Sequence, residues 1–286
     1  MNKDKNRKTA GIVLRTVLAA AVVLTGLLTS GTRISDRIPD GAVRVLFFDV
    51  GQGDCTLIVS DGAVILVDVP LYRSDPVTGY LGRLRIRKID WFIVTHFDSD
   101  HCGDAARILS SFNVAHLLMP EPSDADDPLY REIVSAADPD TVVTAKAGQS
   151  FSPGAMTLDV LSPGSRGKKD NESSVVCRIA YGADSVLLCS DMGVSDEKTV
   201  LSKYGGSVSS DILKVGHHGS KYSSSPDFLK AVSPAWSVIS CGQNRYGHPT
   251  LETLSALEDV GSEYIITQAN GVVIFDLFGD LVVRKK

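Results

Sequence analysis

The sequence predicts an α/β fold: an αββα sandwich of two mixed sheets packed face to face with helices outside, preceded by one N-terminal hydrophobic helix. Three observations predict it. Short β-rich runs separated by Gly and Asp open the main body of the chain, and helices and strands then alternate. The same progression follows a second time over a similar length, so two sheets each need a partner face to bury. Upstream of both, a basic flank precedes an apolar stretch.

That N-terminal segment, residues 1–30, carries Lys3, Lys5, Arg7 and Lys8 ahead of Gly11–Ser30, whose only charge is Arg15. A helix of about twenty residues crosses a bilayer core of about 30 Å, and Arg15 is near enough to the basic end to snorkel. The positive flank should stay inside, so the expectation is a single-pass signal anchor in the cell membrane with the rest of the chain extracellular. A cleaved signal peptide is the rival reading, because Thr16–Leu28 has a suitable length and the small residues Thr29, Ser30 and Gly31 follow; the product would then be secreted. A buried amphipathic helix is the third. Residues 31–42 (GTRISDRIPDGA) hold turn formers without apolar period and read as a linker, leaving residues 43–286 as the catalytic domain.

Within that domain, Val43–Val50, Thr56–Val59 and Val64–Val69 read as consecutive antiparallel strands, and Trp91–Thr95 as a fourth. Next come helix Ala105–Ser111, strand Ala115–Met119, helix Leu129–Ala136 and strand Thr141–Ala145. The second block comprises strands Met156–Leu161, Ser174–Tyr181 and Ser185–Ser190, helix 197–204, strand Ile212–Val215, helix 226–232, strand Trp236–Ser240, helix 251–258 and closing strands.

Composition bounds the function. With 43% apolar and 22% charged residues the chain can bury a full core, and a formal charge of −5 argues against a protein that coats nucleic acid by bulk electrostatics. The five cysteines (Cys55, Cys102, Cys177, Cys189, Cys241) are widely spaced, with no C-x-x-C pair, and read as mostly buried small apolar residues, one disulfide remaining open.

The chemistry concentrates in His96-x-Asp98-x-Asp100-His101, four potential ligands within six residues at the end of an apolar strand. Neutral imidazoles and carboxylates suit zinc, manganese or iron, and bringing carboxylates together is costly unless a cation or proton compensates. A solvated turn with Asp100 capping the next helix is the bland reading. Asp191 and the pair His217-His218 also end strands, and His248 lies in a polar Gly-rich loop, whereas His116 reads as structural. Asp49, Gly51, Gln52, Gly53 and Asp54 form a polar turn that is either a tight hairpin or an approach to the metals. Asp68 ends its strand and is a candidate to hydrogen-bond a metal-binding histidine from behind.

The landmarks FFDVGQGDC (47–55), ILVDV (65–69), THFDSDHCGD (95–104), NESS (171–174), CSD (189–191), KVGHHGS (214–220) and SCGQNRYGHPT (240–250) resemble, in order, the metallo-β-lactamase superfamily and within it the hydrolase domain of ComEC-type DNA-uptake proteins. The resemblance implies two divalent ions, zinc or manganese: one held by His96 and Asp98, the second by Asp100, His101 and His217, with Asp191 bridging. His217 is preferred to His218 because it leaves the strand first. Many members have histidine at the position of Asp98 and another near Asp170 and Asn171, and ComEC-type sequences usually have glycine at Asp104, a change expected to affect only the helix start. Such a pair of ions lowers the pKa of a bound water and clamps the oxygens of a phosphoryl displacement. Asp100 or Asp191 would orient the hydroxide; His218 and His248 would donate to the substrate or orient other groups.

Asn171, Ser173, Ser174, Ser220, Lys221, Arg245 and His248 are candidates to touch substrate, although turn hydroxyls usually bond their own backbone. Arg83, Arg85, Arg87 and Lys88, then Arg166, Lys168 and Lys169, and singly Lys214 and Lys221, either line a phosphate groove or are solvated surface. The resemblance implies a nuclease acting on extracellular single-stranded DNA. Hydrolysis of a carbonyl substrate such as a lactone, thioester or β-lactam is the alternative chemistry. A DNA-binding module with an impaired metal site is the non-enzymatic one, motivated by Asp98 and by the missing histidine near Asn171.

Overall fold

A computed structural model describes residues 37–71, 76–163 and 174–285. The predicted N-terminal helix and Asn171 lie outside the described residues, as do Ser173, Arg166, Lys168 and Lys169. Among the described residues no helix is long and apolar enough to cross a membrane.

Two sheets form the body. The first contains eight strands: β1 (Val43–Phe47), β2 (Thr56–Val59), β3 (Val64–Val67), β4 (Lys88–Ile93), β5 (Asn113–Met119), β6 (Val142–Thr144), β14 (Val273–Leu277) and β15 (Val282–Lys285), in the order β15-β14-β1-β2-β3-β4-β5-β6. The second contains β7 (Ser150–Phe151), β8 (Thr157–Ser162), β9 (Val176–Tyr181), β10 (Asp184–Leu188), β11 (Ile212–Lys214), β12 (Trp236–Ile239) and β13 (Glu263–Ile266), in the order β13-β12-β11-β10-β9-β8-β7. Both sheets are mixed: β3 to β6 run parallel in the first and β10 to β13 in the second, while the hairpins are antiparallel.

The pattern within each strand explains the layering. Val43, Val45 and Phe47 of β1 pack between the sheets with Ile65, Ile93, Leu158, Val186, Ile212 and Val238, while the intervening Leu46 faces outward under helices with Leu66, Phe92 and Leu117. Strands buried on both faces read as continuous apolar runs, which is how they look in the sequence. Helices α1 (Pro76–Arg83), α3 (Ala105–Ser111) and α4 (Pro128–Ala136) contribute to the layer outside the first sheet; α5 (Val194–Tyr204), α6 (Pro226–Val232) and α7 (Leu251–Asp259) cover the second. The short α2 (Ser99–Cys102) and α8 (Thr267–Asn270) complete the set.

The expected two-half αββα arrangement is present with one correction: the halves interlock. The closing strands β14 and β15 return to the first sheet, where β14 pairs antiparallel with β1. Arg44 faces Asp276 across this seam, and their fully buried side chains form a two-pronged ion pair at 2.7 and 3.0 Å. Helix α1 and the two-residue β7 went unpredicted, and Lys88–Ile93 replaces the expected Trp91–Thr95. At the start of the described chain Ile38 packs on the outer apolar layer and the Tyr181 hydroxyl donates to the Gly41 carbonyl (2.8 Å).

All five cysteines are buried and free, and no disulfide forms; burial pushes the thiols of Cys102, Cys177, Cys189 and Cys241 up, the last to about 11. His116 stacks on Trp91 at 4.4 Å.

Candidate metal centre

Parallel strands deliver their following loops to one edge of a sheet, and here both sheets do so on the same side. β3 ends at Asp68, β4 leads to Thr95 and His96, β10 to Ser190 and Asp191, β11 to His217 and His218, and β12 to Ser240. Four of these residues sit in left-handed backbone conformations: Asp68 (φ 56°), Ser190 (φ 48°), His217 (φ 48°) and His218 (φ 54°). Such conformations cost about 1–3 kcal/mol each and cluster where side chains must be aimed.

Three imidazoles are buried at this edge, and each is held from behind through Nδ1. His101 Nδ1 donates to Asp68 (2.8 Å) and His218 Nδ1 to the Ser240 carbonyl (2.9 Å). For His96 the tautomer follows by elimination. The Thr95 hydroxyl donates to Asp68 (2.7 Å), the Ser190 hydroxyl donates to Thr95 (2.7 Å), and both oxygens lie within 3.3 Å of His96 Nδ1, which must therefore be the donor. In the neutral form of each ring Nε2 therefore carries the lone pair, and all three Nε2 atoms are buried without a hydrogen-bond partner, as is Asp191 Oδ1.

Those atoms converge. Asp191 Oδ1 lies 3.2 Å from His101 Nε2 and 3.6 Å from His218 Nε2, and its Oδ2 lies 3.5 Å from His217 Nε2. Asp100 is 3.4 Å from His218 Nε2, and Asp98 is 3.6 Å from His96 Nε2. Donor atoms of Asp54, His101, Asp191 and His218 all fall within 4.8 Å of one another. Buried imidazoles fixed on one nitrogen and unpaired on the other, facing a carboxylate oxygen that is also unpaired, fit a metal cation.

The electrostatics agree. Burial alone would lower His101 and His218, yet Asp191 and Asp68 hold His101 well above its ordinary value, and Asp100 and Asp54 raise His218 to about 9. Burial would likewise raise Asp191 and Asp100, but the neighbouring histidines hold Asp191 well below the usual carboxylate range and Asp100 below it too. The cluster demands positive charge, supplied by protons or by metal ions.

Asp68 accepts a hydrogen bond from His101, and His96, Asp98, Asp100, His101 and Asp191 are brought together. Of the histidine pair, His218 is the more deeply buried. The turn after β11 rotates His218 into the buried cluster, while the His217 side chain stays one-third exposed at its mouth, still within reach of Asp191. Asp54, from the turn read as either a hairpin or an approach to the metals, reaches the cluster itself. Its Oδ2 pairs with Lys214 at 2.6 Å and its Oδ1 lies 3.5 Å from His218 Nδ1; burial alone would raise its carboxyl, but Lys214, His218 and His101 together hold it well below the usual range.

Lys214 is consequently no groove cation: it is buried, bound to Asp54 and to the Val215 carbonyl (2.9 Å). Its position inside an apolar strand run was the signal for this. Asp49 accepts from the Gly51 N–H within its own turn. Ser220 is buried and accepts from the Tyr222 N–H, so its hydroxyl braces a turn instead of facing solvent. Ser174 is buried with its Oγ unpaired among the described residues. Lys221 and Arg245 are exposed. His248, 5.7 Å from His217 ring to ring, has its pKa lowered by burial and by the neighbouring histidines. Asp104 pairs with Arg107, one turn into α3. Arg83 lies over the Tyr80 ring and Lys88 pairs with Asp90, an arrangement of surface cations. Thr95, Ser190 and Ser240, which set the histidine orientations, went unread in the sequence, although each immediately neighbours a ligand or ends a strand.

Comparisons with known proteins agree with this geometry. The chain is 28% identical over 249 residues to "Competence protein ComA" of Neisseria gonorrhoeae, covering 85% of this chain and 33% of that protein. It is 29% identical over 253 residues to "ComE operon protein 3" of Bacillus subtilis, covering 80% and 32%. It thus spans about a third of the length of these curated relatives. In fold it is similar to YhfI, a metallo-β-lactamase fold protein from Bacillus subtilis, with a TM-score of 0.57 at 15% identity over 82% of this chain and 99% of that one. The fold together with the donor cluster supports a metal-dependent hydrolase. The model of the metallo-beta-lactamase superfamily matches residues 48–243, and the chain belongs to that superfamily.

Proposed function

We propose that the protein is a phosphodiesterase that cleaves single-stranded DNA outside the cell, anchored to the membrane by residues 1–30 or released by their cleavage. The observation that carries the metal-dependent chemistry is the set of three buried Nε2 atoms without hydrogen-bond partners, two of them facing Asp191 and the third, of His96, facing Asp98. The nucleic-acid substrate rests on similarity to proteins named for competence.

His96, Asp98 and Asp191 would hold one divalent ion, zinc or manganese, and Asp100, His101, His218 and Asp191 a second. When bound, such ions would supply Lewis acidity to a phosphoryl oxygen and lower the pKa of a water molecule. The remaining work belongs to the chain. Asp100, kept ionised by His218 and His101, accepts a proton from the attacking water. His248, kept neutral, presents an imidazole at the mouth of the site that can hydrogen-bond the departing oxygen. Asp68, Thr95, Ser190 and Ser240 hold the ligand rings in the orientation the chemistry needs.

The test is cleavage of end-labelled single-stranded DNA by the purified chain with manganese or zinc beside an Asp100→Ala control. Metal-dependent products absent from the control are expected. A metal-loaded, folded protein that leaves the strand intact would overturn the proposal and favour carbonyl hydrolysis or binding without catalysis.

A further inference from the structure

Seven large apolar side chains stand exposed among the described residues, and four of them stand around the metal centre: Leu71, Tyr222 and Tyr246 in loops and Leu251 at the start of α7. Leu71 is tied by its N–H to the Ser99 carbonyl, inside the His96–His101 loop, and Leu251 follows Thr250, whose N–H donates to the Gly219 carbonyl beside His218. Tyr246 lies over His248, the rings 5.6 Å apart and inclined by 31°. Isolated exposed apolar residues need no explanation, but their concentration at the rim of one charged site does.

The two tyrosines are the most informative of the four. Each follows a basic residue directly, as Lys221-Tyr222 and Arg245-Tyr246, and Lys221 Nζ lies 5.3 Å from the Tyr222 ring centre. Both phenols are largely solvent-exposed, 69% for Tyr222 and 75% for Tyr246. The backbone that presents them is nevertheless fixed. The Tyr222 carbonyl accepts from the Val194 N–H (3.0 Å), and the buried carboxylate of Glu197 accepts from the N–H groups of Ser224 and, at 2.9 Å, of Ser225. On the other side Asn244 Oδ1 accepts from the Tyr246 and His248 N–H groups, both at 3.0 Å, and its Nδ2 donates to the His248 carbonyl (2.7 Å).

An exposed basic residue followed by an exposed tyrosine, repeated on the two loops that carry His217 and His248, matches a chain that alternates phosphate with planar base. A small phosphate ester would use the cations and leave the rings idle. A duplex would hide its base faces inside its own stack. We infer that Tyr222 and Tyr246, with Lys221 and Arg245, form a base-stacking subsite that holds unpaired nucleobases on either side of the scissile phosphate and makes the protein selective for single strands. This rests on the phosphodiesterase reading above and adds the residues that select its substrate.

The experiment compares binding of the full-length chain, in chelator, to a labelled single-stranded oligonucleotide and to the same backbone lacking its bases, read by fluorescence anisotropy, followed by cleavage with manganese. Tyr222→Ala and Tyr246→Ala are each expected to weaken binding of the base-bearing strand by about 5- to 100-fold while leaving the abasic strand unchanged, and the Phe variants to retain binding. Equal affinity for the two strands, or alanine variants within about twofold of the parent protein, overturns the subsite. If the parent protein still cleaves the strand in that case, the phosphodiesterase reading stands without it. A parent protein that neither binds nor cleaves any strand sinks that reading, and the subsite falls with it.

Discussion

The two halves of the metal centre are unequally built. Around His101 and His218 both rings are buried and braced, although Asp100 beside them is 36% exposed: Asp68 holds one ring, Ser240 the other, and the Lys214–Asp54 pair closes the back of the site. Around His96 the ring is held only by two hydroxyl oxygens at 3.2 and 3.3 Å, and its partner Asp98 is 44% exposed. In the proposed site Asp98 would offer an oxygen, harder than an imidazole nitrogen, which would favour manganese over zinc. The difference predicts tighter binding at the braced half, whose ligands are already oriented, and faster ion exchange at the other.

The strongest challenge to that comparison is Asp191→Ala, because Asp191 faces both halves. It should lower cleavage by at least about 10³-fold, the scale of losing one member of a cooperating catalytic set, and strip metal from both positions in a metal analysis of the purified protein. Residual occupancy of the His96 half alone would refute the shared role. Next in size, Lys214→Ala leaves Asp54 as a buried unpaired charge and should cost about 3–5 kcal/mol in denaturant unfolding. Lys214→Met with Asp54→Leu should recover much of that loss, and failure to recover would mean the pair does more than neutralise itself.

Smaller effects sharpen the asymmetry. Asp68→Asn should weaken metal binding by about 10- to 100-fold in chelator competition, and Asp98→Ala by less. The same measurement should rank His218→Ala well below His217→Ala in retained metal, and the reverse ranking would restore His217 as the ligand. The pH dependence has a definite sign. In the metal-free protein His218 titrates near 9, so below that pH an incoming ion must displace its proton. Apparent affinity should therefore rise with pH through the neutral range, by about tenfold per unit for each proton displaced, and calorimetry in buffers of different ionisation enthalpy should detect the release. A flat profile would contradict the raised pKa.

The inter-sheet core was legible because its strands are buried on both faces and so form apolar runs, unbroken in Val64–Val67 and interrupted only by Arg44 in Val43–Phe47. The ligand run was legible for a related reason: four ligand-type residues in six positions after a strand have few structural uses. Helix α1 escaped notice because Gly79 and Gly82 weaken its helical signal, and β7 because two residues carry no period.

What the sequence by itself determined is therefore local: which runs are strands, where each ends, and that His96, Asp98, Asp100, His101, Asp191 and the histidine pair stand at those ends. Only the tertiary structure decided what meets across the chain. It turned His218 into the buried cluster and left His217 at its mouth through two consecutive left-handed residues, paired Lys214 with an aspartate 160 positions earlier, and sent β14 back to β1. Such choices depend on the packing of segments distant in sequence, where a buried charge takes whichever partner the fold brings within reach, and no local period encodes that partner.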